Sequence, residues 1–138
     1  MKRMSIITFV TLVAFGLGYF LLKPNYTISY YKFKNCSKTV LTKIEYSRFG
    51  ERGVVFAYGH LKEKSLPEKE SLVGAFLGGW DSNYEVVATC NGEKISINYI
   101  SGYYTATFPS TKIAPNRVNT DTFFKLKDTP GNIYIEGY

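Results

Sequence analysis

The side chains able to do covalent or acid–base chemistry in this chain are one histidine, two cysteines and eleven carboxylates, and their spacing builds no familiar catalytic set. His60, in YGHLKEK, closes an alternating run and reads as a surface residue rather than a base held by neighbours. Glu68 and Glu70 belong to a polar, proline-containing loop, so their pKa values have no reason to part. No GxSxG, glycine-rich phosphate loop or HExxH occurs. Without a CxxC or a Cys/His cluster there is no donor set for a metal. The chain is therefore expected to be no enzyme and to carry no cofactor.

Cys36 and Cys90 are expected to pair rather than to stay as two buried free thiols. Cys36 follows the first alternating run, and Cys90 ends the run before Asn91-Gly92, so a bridge between them pins the first strand to a central hairpin. Candidate binding residues are aromatic. Phe76-Leu77-Gly78-Gly79-Trp80-Asp81 sets the sole Trp among glycines and polar residues, as at a loop tip. Trp and Tyr are over-represented among residues that carry binding energy, although aromatics are also the commonest core fillers. Tyr103 and Tyr104 are adjacent, so in an extended strand one of them leaves the core. Phe76, Trp80, Tyr103 and Tyr104 form the candidate binding set.

The element that sets the environment of all these residues is the run Met4 to Leu22, which holds no charge. As a helix it spans roughly 28 Å, close to the hydrocarbon thickness of a bilayer. Lys2 and Arg3 precede it and Lys23-Pro24-Asn25 closes it. A cleaved signal peptide is the competing reading, with Ala14, Gly16 and Gly18 as an internal small-residue pattern. The length of the run and the bulky Phe20, Leu21 and Leu22 favour a retained signal-anchor. Positive charge flanks both ends, so orientation rests on the short basic head and the cysteine pair, which place the C-terminal domain outside the cytoplasm. The expected organisation is a single-pass anchor over residues 1–23 and a periplasmic domain over 24–138, with secretion after cleavage as the alternative.

The domain is rich in aromatics, the whole chain holding 12 Tyr and 10 Phe, and its periodicity is that of strands. In YTISYYKFK, Tyr26, Ile28 and Tyr30 alternate with Thr27 and Ser29. VLTKIEYSR places Val40, Thr42, Ile44 and Tyr46 on one face and Lys43, Glu45 and Ser47 on the other. GVVFAYG follows, then the loop HLKEKSLPEKES, then LVGAFLGG, whose glycines favour strand over helix. YEVVATC-NG-EKISINYI is the clearest element, because Asn-Gly between alternating runs marks a type I′ hairpin. YYTATF, TFFKLK and IYIEGY read as further strands, and the stretch around Arg117 to Asp121 has no clear period. About eight short strands with regular turns predict an all-β fold, an antiparallel Ig-like sandwich or small barrel, with no amphipathic helix after the anchor. The net charge falls from +6 to +4 once Lys2 and Arg3 are set aside, and it is spread singly rather than in a run. That balance suits a solvated surface with some attraction to anions and gives no nucleic-acid signature.

KTVLTKIEY, GHLKEKS and YEVVATCNGEKISINYISGYYT together resemble a loosely defined group of small exported bacterial β-sandwich proteins of unknown function, over residues 35–108. Ser101-Gly102-Tyr103-Tyr104 is also similar to the Ser-Gly-x-x-Tyr loop of the membrane-bound inhibitors of C-type lysozyme. The match breaks at Thr105, where that family has Tyr, and at Ile113 after Thr111-Lys112, where it has Gly. Asn25-Tyr26-Thr27 and Asn35-Cys36-Ser37 match the N-glycosylation sequon, the second beside a cysteine expected to be bridged. The expected function is a membrane-tethered extracytoplasmic protein-binding domain, an envelope immunity or inhibitor protein. The alternatives are a structural or accessory subunit of a membrane complex, or a lysozyme-inhibitor-like protein. Its partners are then the membrane, through the helix, and a protein, with no nucleic acid.

Overall fold

The computed structural model describes residues 10–16, 18–19, 23, 25–48, 51–62, 72–76, 84–101, 104–105 and 112–137. Among them are nine strands in two sheets: β1 (Asn25–Lys32), β2 (Val40–Arg48), β3 (Glu51–Tyr58), β4 (Leu72–Phe76), β5 (Tyr84–Asn91), β6 (Lys94–Tyr99), β7 (Tyr104–Thr105), β8 (Ile113–Arg117) and β9 (Ile133–Gly137). The first sheet has the order β1-β2-β3-β4-β7 and the second β8-β6-β5-β9. One core joins them. Leu41, Val54 and Phe56 from the first sheet meet Val86, Ala88, Ile95, Ile97, Ile113 and Ile135 from the second. The β-rich fold is thus as the alternating pattern predicts.

Three features depart from it. The first is strand direction: β8 pairs with β6 in parallel, Ile95 opposite Ile113 through Tyr99 opposite Arg117, in a fold expected to be antiparallel throughout. A parallel partner needs a crossover, and the chain makes one by leaving β6 for β7 at the edge of the other sheet before returning. Pro115 lies within β8, an edge strand, where a missing N–H costs no ladder bond on the free side.

The second is TFFKLK, which forms the helix Thr120–Lys127 and not a strand. Asn119 caps it, its side-chain oxygen accepting from the Thr122 N–H at 2.8 Å. Asp121 lies in the first turn and Lys125 and Lys127 in the last, signs that complement the helix dipole. Phe123 is fully buried and the helix packs over β5, carrying the chain from the β8 edge of its sheet to the β9 edge. In the same sheet the buried Asn98 donates to the Val87 carbonyl at 2.9 Å and the Thr89 hydroxyl at 3.1 Å, and accepts from Asn116 at 2.8 Å. One amide thus ties β5, β6 and β8.

The third concerns β2. Both of its faces are buried: Leu41 and Lys43 toward the second sheet, Thr42 and Ile44 away from it. Lys43 and Glu45, on the polar side of the alternation, therefore point between the sheets.

Within Met4 to Leu22, the residues Val10–Gly16, Gly18 and Tyr19 are helical, and Val10, Leu12, Val13, Phe15 and Tyr19 are exposed. Among the described residues no helix is long and apolar enough to cross a membrane, and the remainder of the predicted anchor lies outside them.

Candidate functional site

Lys43, Glu45 and Tyr84 form the one ionisable cluster described between the sheets. β2 presents Leu41, Lys43 and Glu45 to the interior in succession, and Tyr84, the first residue of β5, reaches across from the opposite sheet. Its phenol donates to Glu45 Oε1 at 2.9 Å, and the Lys43 ammonium reaches the same oxygen at 3.1 Å. The Lys43 side chain is 8% exposed and that of Glu45 35%, so the carboxylate opens to solvent while the ammonium does not. The Phe56 ring stands edge-on to Tyr84 at 6.3 Å.

Burial first, and then the hydrogen bond to Glu45, push the Tyr84 phenol well above its ordinary pKa of 10.0. A phenol so held keeps its proton at neutral pH and acts as a donor. The cluster joins the two sheets and fixes the rotamer of Tyr84, whose ring covers Gly137 on β9, the residue directly opposite it. Tyr46 covers Gly53 across β2 and β3 in the same way. In both places a side chain on the glycine would collide with the ring, so glycine and tyrosine act as a pair.

The cysteines are joined. Cys36 and Cys90 form a disulfide with Cα atoms 6.3 Å apart, and both are buried in the core. The bridge fastens the loop between β1 and β2 to the end of β5, as their positions predict.

Of the four aromatic candidates, two share a pairing: Phe76 on β4 lies directly opposite Tyr104 on β7, and its other neighbour is Val54 in β3. Trp80 and Tyr103 lie outside the described residues. The strand ends flanking Trp80, Phe76 and Tyr84, are at the end of the sandwich where β1 begins, because Asn25 pairs with Ser47 and β3 starts nearby at Glu51. His60 is exposed and stacks on Tyr30, ring centroids 4.0 Å apart. The Tyr30 hydroxyl donates to the Leu61 carbonyl, holding this segment against β1.

On the outer surface, Tyr134 donates to Glu85 at 2.9 Å and lies 3.0 Å from Glu136, with the Lys127 ammonium 3.7 Å from its ring centre. This group fastens the end of the helix to β9 and β5. No group of three or more His, Cys, Asp or Glu side chains able to hold a metal ion occurs among the described residues. Lys43, Glu45 and Tyr84 escape an alternation argument because β2 has apolar residues in both parities. Leu41, in step with Lys43 and Glu45, is the signal that could reveal them. No protein-family model, curated protein or solved structure matches the chain.

Proposed function

We propose that this chain is a membrane-tethered, extracytoplasmic protein-binding domain, an immunity or inhibitor protein of the cell envelope. The Cys36–Cys90 disulfide is the observation that carries this reading, because such a bridge persists in oxidising compartments. The apolar, exposed side chains of the helical residues between Val10 and Tyr19 suit a helix surrounded by lipid. Asn25 opens β1 directly after Lys23-Pro24, so the tether is short and the sandwich stands close to the bilayer. A cross-linked sandwich with an interior polar tie is a rigid platform, and rigidity lowers the entropy cost of docking a partner.

An accessory subunit of a membrane complex is the competing function, and in it the apolar segment makes the contacts. A variant lacking residues 1–23 and exported by a separate leader distinguishes the two. Retained capture of a partner from envelope extract supports the binding domain, and loss of capture with the fold intact supports the accessory reading. If Trp80 anchors the partner, Trp80→Ala weakens affinity by at least about 2 kcal/mol and leaves the fold intact. If Trp80 is core, the same change lowers stability by about 3 to 5 kcal/mol.

A further inference from the structure

The lysines that look scattered in the sequence meet at one end of the sandwich. Lys32 ends β1, Lys34 and Lys38 sit in the loop that follows, Lys62 lies beyond the end of β3, Lys94 closes the Gly92-Glu93 turn and Lys112 precedes β8. All six are exposed. Pairing puts these segments at a common end: Lys32 opposite Val40, Leu41 opposite Tyr58, Asn91 opposite Lys94 and Ile95 opposite Ile113.

Contacts between the sheets hold that end together. The Cys36–Cys90 disulfide ties the loop bearing Lys34 and Lys38 to the hairpin bearing Lys94. The Lys112 ammonium lies 5.0 Å from the Tyr58 ring centre, bridging β8 to β3. The Asn35 side chain packs on Gly131, fixing the same loop to the turn before β9. Among the described residues of these segments the acids are Glu93 and Asp128, so six lysines face two carboxylates.

We infer that this lysine end is a docking surface for a linear, phosphate-bearing polyanion. The charges are all ammonium groups and none is a guanidinium, so the surface offers compact, mobile point charges, the form in which lysine binds phosphate, that can follow a flexible chain of phosphates. The surface lies at the opposite end from Asn25, where the chain leaves its apolar segment, so it faces away from the bilayer that segment would occupy. A polymer beyond the membrane fits that direction, and a lipid surface does not. The inference rests on the membrane-tethered reading for its direction and is separate from the protein partner, because the described aromatic candidates, Phe76 and Tyr104, lie at the other end.

The test is titration of long-chain inorganic polyphosphate against the full chain in neutral phosphatidylcholine nanodiscs, over a range of salt concentrations. Binding is expected to weaken steeply with salt, and the triple change Lys34→Gln, Lys38→Gln, Lys94→Gln to weaken it about tenfold or more while lowering the logarithmic salt slope by about 2. Arg117→Gln, at the opposite end, is expected to leave both unchanged. All three lysines are exposed, and an unchanged far-UV circular dichroism spectrum confirms that the fold survives. Equal loss in the Arg117 variant, or no loss in the triple variant, overturns the assignment. Equal affinity for poly-L-glutamate overturns it in favour of an acidic protein surface, and tighter binding to phosphatidylglycerol vesicles in favour of a lipid surface. Loss of partner capture on deleting residues 1–23 bears on the function proposed above and leaves this outcome untouched.

Discussion

Glu45 holds two donors on one oxygen, and the unequal burial of its partners makes their removal unequal. Glu45→Gln leaves the Lys43 ammonium buried without a counter-charge and is expected to destabilise by about 3 to 5 kcal/mol. Lys43→Met leaves a partly exposed carboxylate that keeps its bond from Tyr84, and is expected to fall within about 1 kcal/mol of the parent. Urea unfolding of the two variants measures the difference. Tyr84 adds a pH signature. Its phenol has a folded pKa above the unfolded value of 10.0, so its contribution is complete below pH 10.0 and is lost as pH rises above it. Tyr84→Phe is expected to cost about 1 to 2 kcal/mol at neutral pH and to flatten the decline of stability in alkali. Unfolding curves between neutral pH and about pH 11 check both, and an equally steep decline in the variant would remove Tyr84 as its source.

At the scale of elements, the fold rests on ties between segments remote in sequence. The disulfide is one of these, joining residues 54 apart. Replacing both cysteines by alanine is expected to cost about 2 to 5 kcal/mol, measured by thermal and urea unfolding. Much of this layer is legible from the sequence. The β5–β6 hairpin announces itself because Asn91-Gly92 is a turn signal between alternating runs, although Asn91 pairs with Lys94 and the two turn residues are Gly92, with a φ of 65°, and Glu93, one residue later than the expected Asn-Gly centre. The helix Thr120–Lys127 does not. In TFFKLK the two phenylalanines satisfy strand and helix patterns alike, and the deciding signals, Asn119 as cap and the order of Asp121 and the lysines, lie at its ends. β8 is hidden for another reason: IAPNR contains a proline and pairs along one side only, so the sequence carries little strand character. Lys43 and Glu45 look solvent-facing until both faces of β2 are known to be covered.

For the whole molecule, the two ends of the sandwich differ in chemistry. The end where β1 begins receives the chain from its apolar segment and carries the strand ends flanking the aromatic candidates. The other gathers six exposed lysines on loops braced by the disulfide. This polarity is invisible in a linear reading, because charges spaced singly along a chain become neighbours only when strands of similar length stack their turns together. On the proposed membrane-tethered reading, the short tether gives the domain a near side and a far side. The account depends on the domain standing outside the cytoplasm with its disulfide formed. The most direct measurement is non-reducing mass spectrometry of peptides released by protease from the outer surface of intact spheroplasts expressing the full chain, with free thiols blocked at harvest. The account predicts released peptides from residues 24–138 in which Cys36 remains linked to Cys90. Peptides released only after lysis, with both thiols blocked, would contradict it.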